Sequence, residues 1–212
     1  MNASAESRHE RVRRQRAGSR DRHATGLIVV GCSLGGLQAL QSILRALPEE
    51  FKVPIAVAQH RHAKSSDVLA QHLQRSSTLL VSDAEDLQPV ESGHIYLAPA
   101  NYHLVVDRGH LRLSVDDAVQ YSRPSIDVLF ESAADAYRDR AVAVVLTGAN
   151  SDGARGAAMI TRRGGLVLVQ DPEEAEAAAM PIAALAAAPD STVLPLAQIP
   201  RFLSDRLEFS DE

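Results

Sequence analysis

The chain has 212 residues, of which 45% are hydrophobic and 23% charged, with a formal net charge of −5. These proportions fit one globular domain of moderate size and exclude collagen-like, disulfide-scaffold and wholly disordered classes. Cys32 is the single cysteine, so neither an intrachain disulfide nor a cysteine-rich zinc ribbon can form. No apolar run approaches the ~20 residues of a membrane span, and the basic start lacks the hydrophobic stretch of a signal peptide. A cytoplasmic protein without membrane insertion is expected.

The charge is unevenly spread. Residues 1–26 hold seven arginines against Glu6, Glu10 and Asp21, a net of +4, which leaves −9 on the remainder. With so few large apolar side chains this stretch cannot offset its ordering entropy. The expected organisation is a disordered arginine-rich arm over 1–26, one folded domain over 27–207 and a short tail over 208–212. The arm is either a plain solvated extension or a docking arm for an acidic partner, and the acidic body argues against nucleic acid as the main ligand. The pattern assigns no oligomeric state.

Regular structure starts at Leu27. The continuous β-branched run 27–30 reads as a strand buried on both faces. It ends in Gly31-Cys32-Ser33-Leu34-Gly35-Gly36, after which Leu37, Leu40, Ile43, Leu44 and Leu47 mark one face of a helix that stops at Pro48. A second buried strand is expected over 53–58, ending at Gln59-His60, then a helix over 66–75. The middle reads as hairpin-rich and antiparallel, with strands at 94–98, 102–106 and 111–115. Ile126, Leu129, Phe130, Ala133 and Tyr137 then form a helical stripe, with Pro124 suited to its opening turn. Next come a strand over 142–146, a helix over 154–163, a strand over 166–169, an alanine-rich helix over 173–188 broken at Pro181, and a last helix over 199–207. Alternating strands and helices predict a doubly wound α/β fold. Its sheet is mostly parallel and twisted, with helices on both faces and a small antiparallel hairpin region.

Ligands in such sheets bind beyond the carboxyl ends of the strands. Three expected strand ends carry reactive groups: Ser33, His60 and Asp152. The segment 31–35 matches G-x-S-x-G, whose glycines allow the sharp turn that exposes a serine hydroxyl. The backbone N–H groups of Leu34 and Gly35 would face the positive end of the following helix, where an oxyanion is favoured. The same turn lacks the G-x-G-x-x-G of a dinucleotide site and the Gly-Lys-Ser/Thr of a P-loop. His60 terminates the strand expected beside the serine strand, with His62 as a second candidate. No cysteine or carboxylate accompanies this pair at ligand spacing, which disfavours a metal site. Asp152 has an ordinary use as a helix N-cap, but beside a serine and a histidine it reads as the third member of a triad. The chain order Ser, His, Asp differs from that of the α/β-hydrolases.

These residues resemble a known family. Gly31-Cys-Ser-Leu-Gly-Gly36, Ala58-Gln-His60, Tyr96-Leu-Ala-Pro99 with His103, Arg123-Pro-Ser-Ile-Asp-Val-Leu-Phe130, Leu146-Thr-Gly148 with Ser151-Asp-Gly153, Gln170-Asp171 and Met180-Pro181 look like the CheB-type protein-glutamate methylesterase catalytic domain, in order and at similar spacing. The resemblance covers about residues 26–207. It implies a serine hydrolase that demethylates glutamate γ-methyl esters on bacterial chemoreceptors or related sensory receptors, releasing methanol, and that also deamidates receptor glutamines. Carried onto matching positions, Ser33 is the nucleophile, His60 the general acid and base, Asp152 its orienting partner, and the backbone N–H groups of Leu34 and Ala149 the oxyanion donors. No metal or organic cofactor is implied.

The chain departs from the family pattern at Cys32, at Ala149 and in Arg61-His62-Ala63-Lys64, where prolines are usual. The 26 residues before the domain are also too few for the phosphoacceptor receiver domain that chemotaxis methylesterases typically carry. The competing expectation is a catalytically inert, methylesterase-like interaction module in a signalling pathway, against which the intact Ser33, His60 and Asp152 stand.

Overall fold

The structure is a computed structural model and describes residues 26–61 and 68–206. The expected arm, up to residue 25, the expected tail and His62 lie outside the described residues.

Strand β1 (Leu27–Cys32) is buried at every position, as its uninterrupted apolar run requires. It leads into α1 (Gly36–Ala46), whose Leu40, Ile43 and Leu44 are buried at helical spacing. Burial of each such side chain stabilises the fold by about 1.5–3 kcal/mol. Strand β2 (Ile55–Gln59), helix α2 (Leu69–Gln74) and strands β3 (Leu80–Asp83), β4 (Gln88–Pro89), β5 (His94–Leu97), β6 (His103–Asp107) and β7 (His110–Ser114) follow. Then come α3 (Ile126–Tyr137), β8 (Ala141–Val145), α4 (Ala154–Arg162), β9 (Leu166–Gln170), α5 (Ala179–Ala187), β10 (Thr192–Leu194) and α6 (Ile199–Arg206).

Seven strands form one parallel sheet in the order β10-β9-β8-β1-β2-β5-β3. Two apolar layers cover it. On one face α1, α2 and α6 pack through Leu40, Leu44, Leu73 and Leu203; on the other, α3, α4 and α5 pack through Phe130, Ile160 and Met180. The doubly wound expectation therefore describes the molecule. Winding proceeds from β1 through β2 towards β3 on one side and through β8 and β9 to β10 on the other, so the chain reverses direction at the β1/β8 pair. That is the place where open α/β sheets leave a crevice.

Four expectations need correction. Residues 94–97 are not part of a hairpin: β5 lies inside the main sheet, parallel to β2 and β3. The antiparallel region is the small sheet β4-β7-β6. Strands β3, β4 and β10 were not expected from the sequence, because they are short and their alternation is incomplete, as in the pattern of exposed Leu80, buried Val81 and half-buried Ser82 and Asp83. The alanine-rich run is helical only from Ala179. Pro181 falls in the first turn of α5, where a missing N–H costs nothing, and so does not break the helix. Pro124 stands before the N-cap Ser125 of α3 rather than in its first turn, with a cis Arg123–Pro124 peptide.

Candidate active site

The register of the sheet brings the three expected residues to one place. In β1, Gly31 lies beside Ala58 of β2 and Val145 of β8, so the chain leaves all three strands at the same level. Ser33 N–H donates to Thr147 O at 3.0 Å, and His60 N–H donates to Cys32 O at 3.0 Å. The serine turn is thus fixed between the histidine strand end and the Thr147–Gly153 loop.

The turn itself needs its small residues. Gly35 adopts φ +76°, a left-handed conformation that suits glycine, and begins the 11-residue helix α1. Gly148 lies under the turn. A Cβ there would overlap the Met180 sulfur and come within 3.0 Å of Ser33 Cβ. Thr147 Oγ1 donates to Leu34 O at 2.9 Å and accepts from Ala177 N–H at 2.8 Å, tying the Ser33 turn to the β8 and β9 loops. Thr147 N–H in turn donates to buried Gln170 Oε1 at 2.9 Å.

His60 Nε2 and Asp152 Oδ2 are 2.7 Å apart. An ionised carboxylate only accepts, so Nε2 carries the proton and Nδ1 of the neutral ring carries the lone pair. The donor to the acid is therefore the opposite ring nitrogen from that in the serine-protease template. The Asn150 amide lies 3.4 Å from Nδ1, and its Oδ1 accepts from Asp152 N–H at 3.2 Å. Among the described residues Ser33 Oγ has no hydrogen-bond partner, and the serine turn meets the histidine through the backbone bond between Cys32 and His60; catalytic hydrogen bonds often form only with substrate bound. The backbone N–H groups of Leu34 and Ala149 likewise have no acceptor among the described residues.

Asp152 is buried and accepts three further hydrogen bonds. Ser125 Oγ and Asp127 N–H, each at 2.9 Å, go to Oδ1, and Ile126 N–H at 2.8 Å goes to Oδ2. Burial pushes its pKa up, but the His60 hydrogen bond, the N–H groups of Asp127 and Ile126 and the charge of His60 outweigh it and hold the carboxyl below its ordinary range. The N-cap alternative weighed from the sequence takes an unexpected form. Asp152 does not cap its own following helix α4; it caps α3.

Asp127 supplies the converse. Its carboxylate accepts Gly153 N–H at 2.9 Å and Gly156 N–H at 2.8 Å, both in the opening of α4. Burial raises its pKa, partly offset by the Gly156 hydrogen bond, and the neighbouring charge of Asp152 raises it further. Ser125, Asp127, Thr147, Asn150 and His103 are thus members of the site that motif reading did not single out. His103 Nδ1 accepts from Ser125 N–H at 3.1 Å. Their signal was present in the Arg-Pro-Ser-Ile-Asp string and in His103, but a hydrogen-bonding role between distant segments has no periodicity to betray it.

Burial pushes the Cys32 thiol well up, so the departure before the serine leaves a small, inert side chain. Among the described residues no cluster of three or more histidine, cysteine, aspartate or glutamate side chains could hold a metal, and no helix is long and apolar enough to cross a membrane.

Comparison with known proteins bears on the family and the fold. The family model "CheB methylesterase" matches residues 28–203. A "putative protein-glutamate methylesterase/protein-glutamine glutaminase" of Leptospira interrogans is 43% identical over 81% of this chain and 90% of its own length. A Rhodospirillum rubrum protein named "protein-glutamate methylesterase/protein-glutamine glutaminase 1" is 39% identical over 84% of this chain, which spans only 47% of that relative. The crystal structure of the Thermotoga maritima CheB methylesterase catalytic domain superposes with a TM-score of 0.80 at 34% identity, covering 85% of this chain and 97% of that one. By sequence and by fold, the chain belongs to the CheB methylesterase family.

Proposed function

We propose that this protein is a serine hydrolase that removes methyl groups from glutamate γ-methyl esters on a chemoreceptor or related sensory receptor, acting in the cytoplasm, and that it also deamidates receptor glutamines. The observation that carries this reading is the short His60–Asp152 pair set at the strand ends on either side of the Ser33 turn. The catalytic unit is the domain over 27–207.

In the proposed reaction His60 Nδ1 takes the Ser33 hydroxyl proton as Oγ attacks the glutamyl Cδ carbonyl carbon. The negative oxygen that forms accepts from the backbone N–H groups of Leu34 and Ala149, which have no acceptor among the described residues, aided by the positive end of α1. Asp152 keeps the ring oriented and stabilises the imidazolium. Collapse breaks the bond to the methoxy oxygen, which leaves with the His60 proton as methanol. Water, deprotonated by His60, then attacks the acyl-serine; its collapse returns the proton to Ser33 Oγ and frees the glutamate carboxylate. With a glutamine substrate the leaving group is ammonia. No step calls on a metal or organic cofactor.

Methanol release from methylated receptor fragments tests this reading, together with labelling by a fluorophosphonate probe. Release by the wild-type protein, lost in Ser33→Ala, is expected, with the probe attached to Ser33. Full activity in Ser33→Ala would sink the mechanism. Absent labelling with retained receptor binding would favour an inert interaction module instead.

A further inference from the structure

The loop between β7 and α3 carries an aromatic residue that no contact within the protein accounts for. Val119 N–H donates to Ser122 O at 3.1 Å and Ser122 N–H to Val119 O at 2.9 Å, closing a two-residue turn over Gln120 and Tyr121. Both central residues are left-handed, with φ of +48° and +64°. A turn of this form favours Asn-Gly, because a bulky side chain is disfavoured at positive φ. Six non-glycine residues among those described have positive φ, and only these two are consecutive.

Gln120 has a structural use that offsets its conformation. Its Nε2 donates to Asp127 Oδ2 at 3.2 Å and its Oε1 accepts from Ser151 Oγ at 3.1 Å, so it joins the turn to α3 and to the loop that holds Asp152. Arg123 secures the other side, donating from Nη1 to the carbonyls of Val115 at 2.7 Å and Asp116 at 2.9 Å, and from Nε and Nη2 to Asn101 Oδ1 at 3.2 and 2.8 Å. Tyr121 has no such use. Its side chain is fully exposed, with no hydrogen-bond or ring partner among the described residues. Yet it lines a cavity of about 360 Å³ that His60 also lines. An anchored turn thus holds a bare aromatic ring beside the proposed catalytic base, in a conformation that glycine adopts at less cost. Leu34, which follows Ser33, is a second large apolar side chain left exposed at the site.

We propose that Tyr121 is a specificity-determining residue whose ring packs against a large apolar side chain of the substrate protein, carried within about four residues of the reacting glutamyl ester. The proposal rests on the reading of Ser33, His60 and Asp152 as the reacting centre. A cavity of this volume is about 9 Å across, and four residues span about 6 Å in a helix and about 13 Å when extended, so a neighbour on the ester-bearing chain reaches the ring. The substrate is favoured over a second copy of this chain because the ring shares its cavity with His60, which the ester must reach. A tyrosine ring gives a large contact area at a low entropy cost, and such rings supply much of the energy of protein interfaces.

The test uses the full chain carrying Ser33→Ala, so that binding is read without turnover. A synthetic peptide bearing a glutamate γ-methyl ester among serines is compared by calorimetry with versions in which leucine occupies, in turn, each of the four positions on either side of the ester. At least one leucine peptide is expected to bind about tenfold more tightly than the serine parent, a difference of about 1.4 kcal/mol. Adding Tyr121→Gly should reduce that preference below about twofold, whereas Tyr121→Phe should keep it. About 0.5 M salt should leave it in place, because an apolar contact is not screened. Tyr121→Gly should also raise Tm, by about 2 °C, as the left-handed position is relieved, the opposite of what damage to the fold would do. Equal affinities across the leucine series, a preference that survives Tyr121→Gly, or a fall in Tm that accompanies its loss would each overturn the proposal. A wild-type dimer that sediments as a monomer after Tyr121→Gly would give the ring to a second copy instead. Methanol release from the tightest leucine peptide is measured alongside in chains with Ser33 intact, where Tyr121→Gly should raise KM about tenfold and change kcat by less than about twofold. A Tyr121-dependent preference without release supports the contact and overturns the esterase reading, whereas release with equal affinities overturns the contact alone.

Discussion

Asp127 and Asp152 cap each other's helices. The Asp152 carboxylate accepts the first-turn N–H groups of Ile126 and Asp127 in α3, and the Asp127 carboxylate accepts those of Gly153, the N-cap of α4, and of Gly156 in its first turn. Each acid thereby satisfies orphan donors that neither helix can satisfy alone, and each sits where the helix dipole favours negative charge. The arrangement also fixes the backbone on both sides of Asp152, so that its remaining acceptor position meets His60 at 2.7 Å. Helix capping and the placing of Asp152 against His60 are one construction here.

Asp152 substitutions should therefore cost stability as well as rate. Asp152→Ala leaves Ser125 Oγ and the N–H groups of Ile126 and Asp127 without acceptors in a buried place, a loss of about 3 kcal/mol or more. Ser33→Ala breaks no side-chain hydrogen bond among the described residues and should lower activity by about 10⁴-fold with an unchanged Tm. Thermal unfolding of the two variants beside methanol release separates the roles; an unaltered Tm in Asp152→Ala would contradict the capping.

The two carboxyls should respond to acid in opposite ways. Asp152 is held below its ordinary range, so its contribution to stability is fully present above the unfolded value of about 4 and is lost as pH falls through its lower folded value. Asp127 is raised, so its ionised form costs stability above the folded value, and that cost disappears as pH falls through it. Asp127→Asn keeps an oxygen for the Gly153 and Gly156 N–H groups but cannot ionise. Urea unfolding followed from pH 7 down to the unfolded value of about 4 should show wild type gaining on Asp127→Asn as pH falls. Asp127→Ala should be the least stable of the three throughout, and parity with Asp127→Asn would remove the cap from the account.

Much of this was legible in the chain. The runs at Leu27–Cys32 and Ala141–Val145 are apolar throughout because both faces of a parallel strand are covered, and the stripe on α3 has one regular period. The G-x-S-x-G turn and the strand-end positions of His60 and Asp152 followed from the same logic. What stayed hidden depends on partners distant in sequence. His94 to Leu97 reads like a hairpin strand, yet β2 and β3 pair with it in parallel. Pro181 reads as a helix breaker until the first turn is known to begin at Ala179. The capping role of Asp127 needs the approach of α4, which no local pattern encodes.

Cys32 precedes the proposed nucleophile and is fully buried, with its thiol pushed well above the usual range. A thiolate is the reactive form, so iodoacetamide at pH 8 should leave native protein unlabelled and modify Cys32 only after unfolding. Fluorophosphonate should give the reverse result, reacting with the native chain at Ser33. Mass mapping of both adducts distinguishes them, and rapid native alkylation of Cys32 would show that β1 opens at its end.

Gly148 offers a test of how closely the Ser33 turn is held. An added Cβ would overlap the Met180 sulfur and would sit 3.0 Å from Ser33 Cβ, while the backbone here is fixed by Gly148 N–H to Ala177 O and by Met180 N–H to Gly148 O, both at 2.9 Å. The methionine is flexible and can give way; the serine sits on a turn held by Thr147 and cannot move without shifting its hydroxyl. Gly148→Ala should thus lower Tm, from a destabilisation of about 1–3 kcal/mol, and reduce the methanol-release rate. Adding Met180→Ala relieves one contact and leaves the other. The double variant should recover part of the overpacking cost, seen as a smaller Tm loss than the two single losses added together, with no recovery of rate. Recovery of both would place the constraint at Met180 alone and leave the position of Ser33 independent of Gly148.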